Sequence, residues 1–240
     1  AVLTYSSSER GVKVDPEGTV TIAAGFCGKA TVTITAKATA SYLKTTAQSV
    51  ITVTAVQKSN KITVSNFTKN TNLNRAQTFK LGASQKGNGV LSYKSSSKKV
   101  TVTSAGKVTI AKGFVGKAVI TVTSAETPFF KKAASKSTII VNPAKTSLIS
   151  VSNSASKKAT VKWKISTGAV TGYQIQVATD STFTKVLKTY KVKSIKKASK
   201  IISGLKKKST YFFRIRTYQT VSKVNYYSEW SASKKIKITK

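Results

Sequence analysis

The chain has 240 residues, 40% of them hydrophobic, with 42 lysines and arginines against six acidic residues and a formal net charge of +36. The apolar share is too high for a typical disordered chain, and the length allows one large all-β domain or two to three small ones. No histidine is present, which removes the usual base near neutral pH and the commonest metal ligand. The single cysteine, Cys27, excludes an intrachain disulfide and leaves Cys–His chemistry without its base.

Val, Ile, Phe and Tyr set among Thr and Ser are strand residues, because β-branched and aromatic side chains fit a pleated, half-buried surface. The first elements are short strands at Leu3–Ser6, Val12–Val14 and Val20–Ile22, with Gly18 in a turn where a missing Cβ permits unusual φ. A longer strand follows Gly28. In it Ala30, Val32, Ile34 and Ala36 point one way and Thr31, Thr33 and Thr35 the other, the alternation of a sheet with one buried face.

The same words return 88 residues later. Gly18-Thr19-Val20-Thr21-Ile22-Ala23 matches Gly106-Lys107-Val108-Thr109-Ile110-Ala111, and Gly25-Phe26-Cys27-Gly28-Lys29-Ala30 matches Gly113-Phe114-Val115-Gly116-Lys117-Ala118. Tyr42 falls on Phe130, and Ile51 and Val53 fall on Ile139 and Val141. In the second copy Ala118, Ile120 and Val122 are expected inside. Cys27 exchanges with Val115, so its thiol reads as a small packing hydrophobe. Residues 61–90 supply what the first copy lacks: a strand at Lys61–Val64, a turn-rich stretch from Asn70 to Asn74, and a strand at Thr78–Leu81. Without them the first copy keeps open edges and a small core. Either the chain stops in mid-module, or the missing strands come from another polypeptide by strand addition.

Pro143 lacks an amide donor and marks a boundary. Beyond it come strands at Leu148–Val151, Ala159–Ile165 (Val161, Trp163 and Ile165 inward), Tyr173–Val177, Tyr211–Tyr218 and Ile236–Ile238, with Ile202 and Leu205 between. About seven short strands in some 95 residues is the count of a β-sandwich.

The repeated words TVTIAAGFCGKATVTIT and KVTIAKGFVGKAVITVT resemble the bacterial immunoglobulin-like (Big-type) repeats of surface and secreted proteins of Gram-positive bacteria. Residues 145–240 resemble a fibronectin type III domain. Trp163 takes the place of the core tryptophan, Leu205 and Tyr211 stand at the tyrosine-corner spacing, and Ser228-Glu229-Trp230-Ser231 precedes the last strand. The resemblances imply an all-β chain of tandem immunoglobulin-like β-sandwiches arranged as an extended array. Its expected parts are a partial bacterial immunoglobulin-like domain at 1–57, a complete one at 58–143 and a fibronectin type III-like domain at 144–240. Short connections at Ala55–Asn60 and Asn142–Ala144 favour a semi-rigid string.

An enzyme reading fails on residue supply. Only Asp15 and Glu17 lie close together, too few for a calcium cage, and no carboxylate sits at an inward core position to drive a Lys–Asn cross-link. No metal and no cofactor are implied. The triplet Asn66-Phe67-Thr68 is a glycosylation sequon. All but four basic residues are lysine, which acts as a hydrated point charge and suits loose, salt-sensitive attraction to polyanions. Clusters at Lys191, Lys193, Lys196, Lys197, Lys200, Lys206, Lys207, Lys208, Lys234 and Lys235 form a candidate polyanion-binding set; the plain alternative is a soluble coat. Arg214 and Arg216 alternate outward near Trp230, a cation–π arrangement serving as a structural ladder or a ligand contact. Tyr218, Tyr226 and Tyr227 are expected to form an exposed aromatic patch beside it.

The functional expectation is a non-catalytic stalk or spacer segment of a secreted or cell-surface bacterial protein. The alternative is an adhesive or polyanion-binding module for cell-wall polymer, acidic glycan or host-surface protein. Expected partners are neighbouring domains of a longer parent chain. Nucleic acid is not expected, since there is no recognition helix, zinc motif or aromatic stacking platform. No apolar run is long enough to span a membrane.

Overall fold

The computed structural model describes residues 2–240, and every regular element among them is a strand. None of the described residues forms a helix long and apolar enough to cross a membrane. The chain divides into two compact units. One comprises residues up to Lys61 with Gln85–Val90 and Ser124–Ala133, and the other Ile62–Ser84, Leu91–Thr123 and Ala134–Lys240.

The first repeat copy contains β1 (Leu3–Ser7), β2 (Val12–Val14), β3 (Val20–Ile22), β4 (Gly28–Ala36) and β5 (Thr45–Val53). They form a sheet β1-β4-β5 and a two-stranded ribbon β2-β3, all antiparallel. Ala30 and Val32 are buried as their alternation requires, but Ile34 and Ala36 are half-exposed, because the sheet opposite is too narrow to cover them.

The second copy contains β6 (Ile62–Thr63), β7 (Phe67–Asn70), β8 (Gln77–Lys80), β9 (Ser84–Gln85), β10 (Leu91–Ser95), β11 (Val100–Val102), β12 (Lys107–Ile110), β13 (Gly116–Ser124) and β14 (Ala133–Asn142). Its sheets run β10-β13-β14-β7 and β11-β12-β8, with β6 paired to β9. Strand for strand, β10, β11, β12, β13 and β14 repeat β1 to β5. Ala118, Ile120 and Val122 are fully buried and the intervening residues are half-exposed, as the period-two pattern predicts. Strand β7 falls between the expected strand at Lys61–Val64 and the turn-rich stretch from Asn70 to Asn74, where the sequence pattern indicates no element. Its only large apolar residue, Phe67, offers no alternation, and its pairing is parallel to the distant β14. Asn66 of the sequon accepts a hydrogen bond from Thr138 N at 2.7 Å through its side-chain oxygen.

One turn is built identically in both copies. Gly18 and Gly106 have φ of 86° and 75°, and a Cβ at either would lie 3.2 Å from the ring of Tyr5 or Tyr93. The tyrosine lies over a turn that only glycine enters without strain.

Beyond Pro143 come β15 (Leu148–Ala155), β16 (Lys158–Trp163), β17 (Gly172–Ala178), β18 (Val186–Val192), β19 (Ser199–Ser203), β20 (Thr210–Val221), β21 (Val224–Tyr227) and β22 (Lys234–Lys237). One sheet runs β15-β16-β19; the other runs β18-β17-β20-β21, with β22 also on β20. Between them lies a core that includes Trp163, Tyr173, Ile175, Phe213 and Ile215. Trp163 and Tyr173 meet at 5.4 Å between ring centroids. The expected inward Ile165 is 44% exposed instead. Strand β16 ends at Trp163, after which Lys164 N turns to donate to Ser147 O and the chain leaves the sheet. The tyrosine corner is formed: Tyr211 is buried and its hydroxyl accepts from Lys206 N at 2.9 Å.

Candidate functional site

Strand β20 is long enough to take partners along both halves, and its alternation sorts its chemistry. Tyr211, Phe213, Ile215 and Thr217 face the core while Arg214 and Arg216 face outward. Antiparallel register with β17 sets Arg214 opposite Gln176 and Arg216 opposite Gln174. Each arginine donates from Nε to its glutamine's Oε1, at 2.8 Å and 2.7 Å. Gln174 thereby becomes nearly fully buried although it points away from the core.

Ser228–Ser231 dock alongside β20 by a doubled backbone and side-chain pattern. Ser228 N donates to Thr217 O and Ser228 Oγ accepts from Thr217 N, both at 3.1 Å. Ser231 N donates to Ile215 O at 2.8 Å and Ser231 Oγ accepts from Ile215 N at 3.1 Å. With both serines fixed, Trp230 lies between the two guanidinium groups, whose Cζ atoms are 4.6 Å (Arg214) and 4.3 Å (Arg216) from its ring centroids. Phe183 caps Arg214 at 4.2 Å and Tyr227 caps Arg216 at 4.0 Å. The stack continues through Tyr218, 6.1 Å from Tyr227, to the Lys191 ammonium, 5.5 Å from the Tyr218 ring. Burial lowers the pKa of both guanidinium groups. Tyr218, expected exposed, is buried, and burial raises its phenol above the usual value. It lies beneath Lys191 and against Tyr227, so it takes no part in an exposed patch; Tyr226 and Tyr227 are half-exposed.

Phe183 is held by the loop after β17. Asp180 accepts from Thr182 N and Oγ1, Thr184 N and Oγ1, and Lys185 N, which together hold its carboxyl well below the usual carboxylate range, the Thr182 hydroxyl foremost. Phe183 itself adopts φ of 61°. Neither Phe183, Gln174 nor Gln176 was recognised from sequence, because the stack depends on the β17–β20 register.

The lysines fall into separate groups. Lys191, Lys193, Lys197 and Lys200 line one open cleft of about 670 Å³ between β18 and β19, with Lys196 exposed on the same connection. These two strands are the outer edges of their sheets. Tyr173 anchors the connection from below, its hydroxyl donating to Ile195 O at 3.1 Å and accepting from Ser166 N at 2.9 Å. Tyr190 lies 5.5 Å from the Lys200 ammonium and 5.3 Å from that of Lys188. No acidic side chain lines the cleft. Lys206, Lys207 and Lys208 belong instead to the turn before β20, where Lys208 N donates to Ile238 O at 2.7 Å. Lys234 and Lys235 are exposed on β22, opposite Phe213 and Phe212.

Residues 143–234 match the model of the fibronectin type III domain family. No curated protein matches the chain in sequence. Among solved structures, the FN1–FN3 domains of chicken CNTN1 align with 99% of this chain and 91% of theirs, at 14% identity and a TM-score of 0.36. Sidekick-1 immunoglobulin domains 1–5 align over 96% of this chain and 51% of theirs, at 8% identity and a TM-score of 0.37. A titin segment aligns over 99% and 89%, at 12% identity and a TM-score of 0.32.

Proposed function

We propose that the chain is a non-catalytic stalk or spacer segment of a secreted or cell-surface bacterial protein. It is read as a partial Big-type domain at 1–57, a complete one at 58–143 and a fibronectin type III domain at 144–240. The observation that carries this reading is the strand-for-strand repetition of β1–β5 in β10–β14, together with the fibronectin type III match over residues 143–234. The polar contacts that repeat are local braces, Ser7 and Ser8 of the first copy returning as Ser95 and Ser96 of the second to bond neighbouring backbone, so each unit contributes length and a core. The arginine–tryptophan stack supports the same reading. Each arginine commits its Nε to Gln174 or Gln176 and its faces to rings, so the stack works as a brace for the sheet.

The lysine cleft favours a second reading, a polyanion-binding module for cell-wall polymer, acidic glycan or host-surface protein. Four lysines line that cleft with no acidic side chain among the lining residues, and the Lys191 and Lys200 ammonium groups lie 5.5 Å from the rings of Tyr218 and Tyr190. The two readings part on one comparison, using heparin as the probe polyanion at 50 mM to 1 M salt. A variant with Lys191, Lys193, Lys197 and Lys200 changed to serine is set against one with Lys94, Lys98, Lys99 and Lys117 changed to serine. A spacer with a diffuse coat loses the same affinity in both, with the same salt slope. A binding cleft loses at least tenfold more in the first variant. Binding by the intact chain that persists unchanged at 1 M salt overturns the electrostatic reading.

A further inference from the structure

Strand β18 ends one of the sheets built from β15–β22 and β19 ends the other, and residues 193–198 carry the chain directly between them. Each of the two strands therefore has a backbone edge with no partner strand among the described residues. The opening between them belongs to the path of the chain from sheet to sheet. Most of β18 is exposed, so its edge is within reach of another molecule.

Register shows what points into this opening. Lys188 lies opposite Val177, Tyr190 opposite Ile175 and Lys200 opposite Val161. Val177, Ile175 and Val161 are core residues, so both lysines occupy the inward phase of their strands. Their ammonium groups share one ring, Tyr190, at 5.3 Å and 5.5 Å, and Tyr190 itself packs on the core. A lysine so placed keeps its stem on apolar surface and its charge at the opening. Inward-phase charge on an edge strand is a common guard against pairing with a further strand.

This guard discriminates by sign. None of the strands β1–β22 contains an acidic residue, so a second copy of this chain pairing here would bring no counter-charge. From Lys145 onward the only acidic residues are Asp180 and Glu229, and neither lines the cleft. An extended segment with carboxylates at alternate positions meets the opposite field. It can also use the free N–H and C=O groups of the edge, which a flexible anionic glycan cannot pair in register.

We propose that β18 takes an acidic extended peptide strand of another protein, paired to its free edge with carboxylates in the inward phase toward Lys188 and Lys200. The proposal rests on the polyanion-binding reading of the lysine cleft and names the anion as a peptide strand.

The test titrates the intact chain with a capped (Glu-Thr)4 peptide at low salt. In a strand all the glutamates of that peptide turn their backbone N–H groups to one side and all the threonines to the other. Strand addition therefore tolerates N-methylation of one residue type only, and the two N-methylated peptides are expected to differ at least tenfold in affinity. Amide exchange should slow within β18 and stay unchanged at Val108 and Ile139. Lys188→Ser with Lys200→Ser should weaken the unmodified peptide at least tenfold. Equal binding by the two N-methylated peptides overturns strand addition, as does slowed exchange confined to β19. Heparin binding that depends on the cleft lysines, with no peptide binding at millimolar concentration, also overturns it and leaves the polyanion reading standing with a glycan as the anion.

Discussion

Replacing Trp230 by alanine removes the central rung of the stack and exposes the faces of two guanidinium groups. Each arginine–tryptophan contact is worth about 0.5–2 kcal/mol. With Arg214 at 4.6 Å and Arg216 at 4.3 Å, the two together amount to about 1–4 kcal/mol, a sizeable part of the roughly 5–15 kcal/mol that holds a domain folded. The protein supplies its own probe. Trp163 is the only other tryptophan and is fully buried in the core between the two sheets, so in Trp230 variants its fluorescence reports unfolding of this sandwich alone. In urea, a loss of about 2 kcal/mol moves the midpoint down by about 1–2 M. A double-mutant cycle between Trp230→Leu and Arg216→Met separates the stacking from simple area, because both replacements keep an apolar stem. A coupling of about 0.5–2 kcal/mol is expected. A coupling within about 0.3 kcal/mol of zero, the ordinary scatter of independent sites, would refute the brace and leave Trp230 as a surface side chain with arginines nearby.

Three further outcomes follow from the geometry. Tyr211→Phe leaves Lys206 N without its acceptor and should cost about 1–2 kcal/mol in urea unfolding, with the slope unchanged. Gly106→Ala forces a left-handed alanine against the Tyr93 ring and should cost about 1–3 kcal/mol. Gly113→Ala, with φ of 69° and nothing within 4 Å of its new Cβ, should cost visibly less, and equal losses would remove the ring contact from the explanation. Asp180→Asn tests the loop that presents Phe183. A carboxylate whose folded pKa is depressed contributes stability that is complete above its unfolded value near ~3.9 and lost as pH falls through the folded one. The advantage of the native chain over the variant should therefore be full at neutral pH and shrink below about pH 4. Exchange of the Thr184 and Lys185 amides measures it, and a difference that grows on acidification would contradict the assignment.

Alternation made the sandwiches legible before any coordinates. Ala118, Ile120, Val122, Val161 and Trp163 are buried as their phase requires, and the positive φ at Gly18 and Gly106 follows from the repeated turn. The failures have physical reasons. Ile165 keeps the phase of β16 but lies past its end, and periodicity does not say where a strand stops. β7 has one apolar residue and earns its place by pairing with a strand some seventy residues away. Tyr218 was expected at the surface because its phase on β20 takes no account of Tyr227, beside it on the paired β21, and of Lys191, which lie against its ring. The lysine clusters were visible as runs, yet which of them share a cleft depends on β18 and β19 being the two sheet edges, a fact of topology. Gln174 and Gln176 hold the polar phase of β17, and only the register with β20 sets an arginine across from each.

The stack divides the protein's cations into two chemical kinds. Two of its four arginines are enclosed between rings and amide oxygens, while nearly all the remaining positive charge is carried on primary amines at the surface. Reagents that acylate amines would therefore strip or invert the electric character of the molecule and leave the guanidinium groups untouched. Such treatment turns a strongly cationic protein into an anionic one on the same scaffold, so that its surface charge and how it is held together become separately adjustable quantities.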